Sequence, residues 1–236
     1  MSSDLQQSNI LLFDVNETLL NVNALRPLFE DVFADGAVLK EWFAKTLLYS
    51  QTATLAGPYA DFTAIARHAL EMTAHTHAVQ LSEENTGSIL AAMRSLPPHP
   101  DVAGALQRLH QNGFRLMALT NSAQPVAEAQ MYAANLAQLF ERIFSVDAVR
   151  KYKPHPDTYR YVAKELTVTT SSLTMIAAHP WDLMGAKAAG CNVAFIERPG
   201  ISWFPLTPKP KISGKTLEEI ATQLISGGLQ PSPQHL

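Results

Sequence analysis

Four short apolar runs punctuate the chain, and three of them end abruptly in polar residues. Ile10-Leu11-Leu12-Phe13 leads straight into Asp14-Val15-Asn16-Glu17-Thr18, and Arg115 to Leu119 leads into Thr120-Asn121-Ser122. Leu173 to Ala178 leads into His179-Pro180-Trp181-Asp182, and Asn192 to Ile196 follows Gly190-Cys191. Short runs that are apolar throughout, rather than alternating, are the pattern of parallel strands buried on both faces. Segments of helical spacing lie between them: Val102 to Gln111 before Gly113, Val126 to Phe140, Pro156 to Leu166, and Asp182 to Ala189 before Gly190. Strands alternating with helices predict an α/β fold with a parallel sheet covered on both faces. Ligands of such sheets bind outside the carboxyl ends of the strands, where these polar residues fall.

Residues 20–95 break the alternation. They carry helical periodicity (Leu25, Leu28, Phe29, Val32, Phe33, then Ile65, Ala69, Met72) with no convincing strand, and Pro97-Pro98-His99-Pro100 marks the return. The predicted organisation is a core of residues 1–19 and 96–225, an all-helical cap of residues 20–95 inserted after the first strand, and a disordered tail over 226–236. No internal repeat is visible.

Composition narrows the function classes. A chain of 236 residues with 47% hydrophobic content can bury one substantial core, or a core plus a small cap. Charged residues are 17% and the net charge is −3, which argues against a nucleic-acid-binding surface or a polybasic membrane anchor. Cys191 is the single cysteine, so no intramolecular disulfide forms, consistent with a reducing cytoplasm. Met1 to Ser8 lacks the basic start and apolar run of a secretory signal, and the apolar runs are too short to span a bilayer. The expectation is a soluble cytoplasmic protein.

The polar strand ends carry the candidate chemistry. Phe13-Asp14-Val15-Asn16-Glu17-Thr18-Leu19 resembles the first motif of the haloacid dehalogenase superfamily. Thr120 matches the second motif, Lys153-Pro154 the third and Trp181-Asp182 the fourth, and the resemblance covers roughly residues 9 to 222. Within the superfamily the chain is similar to the type II L-2-haloacid dehalogenases. The likeness rests on Ser145 to Pro154 continuing to Tyr159, on Leu119-Thr120-Asn121-Ser122, and on Trp42, Lys45, Leu47, Tyr49 and Phe62 at the spacing of the family's cap helix. It implies a Rossmann-like core and hydrolysis of short 2-haloalkanoic acids to 2-hydroxy acids through an ester on Asp14. The expected partners are a small 2-halo acid and a second copy of the chain, with no nucleic acid, membrane, metal or other cofactor.

A carboxylate nucleophile splits one hard displacement into two easier ones, and Asp14 at a strand end suits that role. Thr18 would orient it, and Lys153 would hold its charge in place through a charge-assisted hydrogen bond. Thr120 and Asn121 would offer donors to a substrate carboxylate or a developing charge. Val15, Asn16, Phe43, Leu47, Phe62, Tyr159 and Trp181 complete the expected substrate site, Trp181 forming an apolar wall with Leu47 and Phe62. Asp182 and His179 are candidates to activate the hydrolytic water, since neutral imidazole is a natural base near pH 7.

Departures from the superfamily's patterns redirect the reading. Superfamily phosphatases use a second aspartate two residues after the nucleophile, and here that position is Asn16. Their usual acidic metal ligand falls on Ala178, so both losses favour metal-free attack on carbon over Mg²⁺-dependent phosphoryl transfer. The dehalogenases' cap arginine matches Phe43, and their fourth-motif serine and asparagine match Ala177 and His179. Lys45, Arg26 or Lys40 are the candidates to compensate for the missing arginine. A phosphatase and a non-catalytic binding protein on the same fold are the rival readings.

Overall fold

The computed structural model describes residues 9–227. Its sheet has six strands, β1 (Ile10–Phe13), β2 (Arg115–Thr120), β3 (Arg142–Ser145), β4 (Leu173–Ala177), β5 (Asn192–Ile196) and β6 (Ile212–Gly214), all parallel and ordered β3-β2-β1-β4-β5-β6. Every residue of β1 and β4 is buried, which is why both read as unbroken apolar runs. Phe13 pairs with Ala118 on one side and Ile176 on the other. The strand order reverses between β1 and β4, and the crevice above such a reversal is where open α/β sheets bind ligands.

Five helices accompany the sheet: α5 (Val102–Gln111), α6 (Gln124–Ala133), α7 (Pro156–Glu165), α8 (Pro180–Ala188) and α9 (Leu217–Ser226). The predicted helix over Val126 to Phe140 is instead α6 followed by a separate turn over Ala137–Leu139, because Asn135 takes a left-handed conformation (φ 55°) that ends it. Helix α8 starts two residues before the predicted Asp182, with Pro180 in the first turn, where its missing N–H costs nothing. Strands β3 and β6 were not anticipated, being four and three residues long with partly exposed residues. Ser226 closes α9 rather than opening a tail, and residues 228–236 of the predicted tail lie outside the described residues.

Between β1 and α5 the chain forms only helices: α1 (Arg26–Phe33), α2 (Val38–Ala56), α3 (Phe62–Thr76) and α4 (Glu83–Ala92), with short 3₁₀ turns at Val22–Leu25 and Met93–Ser95. The outgoing and returning segments are tied together, Asn21 N–H donating to Pro97 O (2.8 Å) and His99 N–H to Leu19 O (2.9 Å). Inside the helices Phe29 packs on Trp42 (5.2 Å between ring centroids), whose indole N–H donates to Ala66 O (2.9 Å). Tyr152 joins the helices to the strand-end loops. Its ring stacks on Tyr59 at 5.3 Å, its hydroxyl donates to Ala60 O (2.6 Å), and its backbone N–H donates to Thr54 Oγ1 (2.8 Å).

Candidate active site

Asp14 is the first residue after β1, and its N–H continues the sheet by donating to Ile176 O (3.0 Å). The side chain is therefore aimed by two strands at once. It is 5% exposed, with Oδ1 accepting from Lys153 Nζ (2.6 Å) and Oδ2 from Thr18 Oγ1 (2.6 Å). Thr18 Oγ1 in turn accepts from Ala178 N–H (2.9 Å), so one hydroxyl bridges the ends of β1 and β4.

Lys153 is fully buried and spends its three protons on three acceptors: Asp14 Oδ1, Asp182 Oδ2 (2.7 Å) and Leu119 O (3.0 Å). Burial disfavours its charge, but Asp14 and Asp182 outweigh that and raise its pKa, so it stays an ammonium ion. Asp182 lies in the first turn of α8, fully buried, and Tyr159 Oη shares its one proton between Asp182 Oδ1 (2.5 Å) and, more weakly, the Asp182 carbonyl (2.9 Å). Burial and the charge of Asp14 push the Asp182 carboxyl above its ordinary range, although Lys153 and Tyr159 oppose them. Burial and Asp182 push the Tyr159 phenol far up, so it keeps its proton and donates.

Helix α8 reaches this cluster because residue 185 is glycine. A Cβ there would lie 2.5 Å from both Pro154 O and Pro154 Cβ, inside any permitted contact. Gly185→Ala is therefore expected to lower the unfolding free energy by about 1–3 kcal/mol, the usual cost of overpacking. Urea denaturation of the variant measures this, and an unchanged midpoint would show that α8 yields freely.

The second strand end contributes donors. Thr120 Oγ1 accepts from Ser122 N–H (3.1 Å) and Asn121 Oδ1 accepts from Lys153 N–H (3.2 Å). The Thr120 hydroxyl proton and the Asn121 amide N–H₂ are left to donate. Asn16 is turned into a structural network, donating to Ser122 Oγ (3.4 Å) and accepting from Gln130 Nε2 (3.2 Å), which also donates to Met93 O (2.7 Å). Val15 is fully buried, and its carbonyl accepts from Leu19 and Leu20 N–H. Phe62 packs near Tyr152 (6.1 Å) and lines a small separate cavity of about 50 Å³.

A cavity of about 630 Å³ opens between α2 and the loops that follow β1, β4 and β5. Phe43, Leu47 and Leu39 from α2 form its apolar wall, while Glu17 and His179 lie on the side of the β1 and β4 ends. Trp181 stacks on His179 (5.0 Å, 26°). Arg26 and Lys40 also line the cavity, and neither side chain makes an ion pair or hydrogen bond among the described residues. Lys45 points elsewhere, to Glu41 Oε1 (2.6 Å), Thr73 and Thr76. A larger cleft of about 900 Å³ is lined by Cys191 and Trp203. Neither lining includes Asp14, Lys153 or Asp182, but the 630 Å³ cavity reaches Glu17 and His179 beyond the ends of β1 and β4, and the larger cleft does not.

The donor set fits a magnesium ion poorly. Both oxygens of Asp14 and both of Asp182 are engaged by Lys153, Thr18 and Tyr159, and Ala178 offers no side-chain ligand. A hard divalent cation needs several free oxygens in near-octahedral array. Among the described residues no group of three or more His, Cys, Asp or Glu is placed to hold a metal ion.

Three neighbours of the site escape the sequence reading: Glu17, His99 and Arg198. Glu17 Oε2 lies 3.1 Å from His179 Nε2. His99 Nε2 is 3.1 Å from Glu17 O, and Arg198 donates to Thr18 O from Nε (3.1 Å) and Nη2 (2.8 Å). Arg198 follows the carboxyl end of β5, so the rule that singled out the other strand ends applied equally there.

Residues 9–190 match the family model described as haloacid dehalogenase-like hydrolase. The chain is 29% identical over 214 residues to haloacetate dehalogenase H-2 of Moraxella sp. (strain B), covering 89% of this chain and 95% of that protein. It is 30% identical over 223 residues to an (S)-2-haloacid dehalogenase of Xanthobacter autotrophicus, covering 94% and 81%. A solved structure of L-2-haloacid dehalogenase from Xanthobacter autotrophicus with chloropropionic acid covalently bound superposes with a TM-score of 0.85 at 26% identity, covering 94% of this chain and all of that one.

Proposed function

From a chain that belongs to the haloacid dehalogenase-like hydrolases, and within them to the (S)-2-haloacid dehalogenases, we propose a metal-independent hydrolase that converts short 2-haloalkanoic acids to 2-hydroxy acids through an ester on Asp14. The observation that carries this reading is the Asp14–Lys153–Asp182 cluster. It sets a carboxylate at the switch point of the sheet, with both of its oxygens and both of those of Asp182 engaged by Lys153, Thr18 and Tyr159.

An Asp14 oxygen attacks the carbon alpha to the substrate carboxylate, and the carbon–halogen bond breaks with its electron pair leaving on the halide. Water then adds to Asp14 Cγ and gives one proton to a base. The bond from Cγ to the original Asp14 oxygen breaks, and that oxygen leaves on the product alkoxide, which takes up a proton. Loss of the second water proton restores the Asp14 carboxylate. His179, on the cavity wall, is better placed to be the base than Asp182, which is fully buried with both oxygens engaged.

The Thr120 hydroxyl and the Asn121 amide hold the substrate carboxylate, and Arg26 and Lys40 supply the positive charge that Phe43 does not. The helices over residues 20–95 act as a cap closing the cavity, with Phe43 and Leu47 as its apolar face. A panel of 2-chloro- and 2-bromo acids, read by halide release, tests the substrate class. Exhaustive chelation with EDTA is expected to leave turnover unchanged. Activity lost in EDTA and restored by Mg²⁺, or phosphate release from an aryl phosphate, would instead establish the phosphatase reading.

A further inference from the structure

We propose that Glu17 is a positioning residue for the hydrolytic half of the reaction: its carboxylate fixes the tautomer and ring plane of His179, so that the other ring nitrogen takes the proton from the attacking water. The proposal rests on the ester mechanism above.

The first observation is conformational. Glu17 is held at φ 62°, a left-handed conformation that a glycine adopts freely and a glutamate does not. Such a residue persists only where its surroundings over-determine it. Here Glu17 N–H donates to Leu20 O (2.8 Å), and the His99 imidazole and Arg198 guanidinium grip the carbonyls of Glu17 and Thr18. Arg198 is itself anchored by two bonds to Asp101 (2.8 and 2.9 Å). Burial and the charge of Arg198 lower the His99 pKa, so it stays neutral and donates Nε2–H to Glu17 O.

The second observation is where this loop aims the side chain. Glu17 Oε2 meets His179 Nε2 at 3.1 Å, and the Trp181 ring covers one face of the imidazole. His179 is 8% exposed and lines the cavity, and its Nδ1 makes no hydrogen bond among the described residues. A carboxylate on one ring nitrogen leaves the proton there and the lone pair on the other, which is how a base is oriented in hydrolytic sites. The residue before His179, Ala178, shares Thr18 Oγ1 with Asp14, which couples the imidazole's backbone to the ester position.

Charge supports the same division of labour. Burial disfavours the His179 imidazolium, but the Glu17 carboxylate 3.1 Å away and the charges of Asp14 and Asp182 prevail and raise its pKa. Lys153 lies beyond Asp14 and Asp182, and His99, Arg198, Arg26 and Lys40 are the other charged or titratable groups around the cavity. Esterification removes the Asp14 charge, one of the contributions that raise the His179 pKa, and so shifts the imidazole toward its neutral form.

The test is single-turnover reaction with 2-chloropropionate, following halide release and the mass of the intact protein. Glu17→Gln is expected to release about one halide per site and accumulate the ester, its hydrolysis slowed roughly 10²–10⁴-fold, the range of general-base assistance. Any remaining pH-dependent limb of ester hydrolysis should move to lower pH, since the raising carboxylate is gone. Glu17→Gly suits the backbone and should melt no lower than wild type, yet trap the ester equally. Adding Glu17→Gln to His179→Ala should slow hydrolysis no further, because the two act as one unit. Ester hydrolysis at the wild-type rate in Glu17→Gln or in His179→Ala, or additive losses in the double variant, would overturn the proposal alone. A wild-type protein that releases no halide overturns the dehalogenase reading and this proposal with it.

Discussion

Asp14→Asn is expected to abolish halide release, with a loss of at least roughly 10⁴-fold, the scale on which nucleophile removal acts in covalent hydrolases. The amide keeps the shape of the side chain but has no anionic oxygen to displace a halide. The fold should survive, and the hydrogen-bond pattern shows why. Asn Oδ1 still accepts from Lys153 Nζ, and Lys153 keeps Asp182 as its charge partner at 2.7 Å, so no buried charge is left alone. The loss falls on Thr18, whose hydroxyl donates to Asp14 Oδ2 at 2.6 Å and would face an N–H₂ group. One buried hydrogen bond of this kind contributes about 1.5–3 kcal/mol when one partner is charged. Halide release with matched urea denaturation separates the two effects. A folded variant keeping a tenth of wild-type turnover would remove Asp14 from the nucleophile's role.

How far the site was legible in the sequence depends on which interactions build it. Asp14 and His179 follow apolar runs directly, so the periodicity of β1 and β4 places them at strand ends without further help. Lys153 follows no such run. Only the resemblance of its surrounding segment marked it, because its position depends on the unanticipated strand β3 and on the approach of α8 through Gly185. Glu17 was visible as a residue of the first motif, but its left-handed backbone and its partner His179 belong to the folded chain.

The cations around Phe43 show a signal that was present and unused. Lys40 and Phe43 are three apart on α2 and share a face, whereas Lys45 is two residues from Phe43 and turns toward α3. Helical phase alone would have removed Lys45 as a substitute for the family's arginine. Arg26 could not be placed that way, since it stands on α1 and reaches the cavity through the packing of α1 on α2.

Replacing Lys153 by methionine should do the most damage, to stability and catalysis together. The ammonium ion lies within 2.7 Å of both Asp14 and Asp182 and is completely buried, so its removal leaves two neighbouring carboxylates in a site closed to solvent. Breaking a buried ion pair from one side typically costs about 3–5 kcal/mol. The sign of the pH dependence follows from Asp182, whose pKa burial and Asp14 already raise and whose main opposing charge would be gone. A carboxyl raised in the folded state binds a proton that the unfolded chain releases, so the variant's stability falls as pH rises through the raised value and recovers toward acid. The stability gap to wild type should therefore widen as pH rises and narrow as pH is lowered, measured by urea denaturation across a pH series. Halide release should be undetectable throughout, because a proton shared by the two carboxylates, or their mutual repulsion, spoils the nucleophile. Lys153→Arg should not rescue it: a planar guanidinium cannot place one nitrogen within hydrogen-bond reach of Asp14, Asp182 and Leu119 O together, as the ammonium does. A Lys153→Met protein whose stability loss is the same at every pH, or which still releases halide, would show that Lys153 is not the charge that holds Asp14 and Asp182 together.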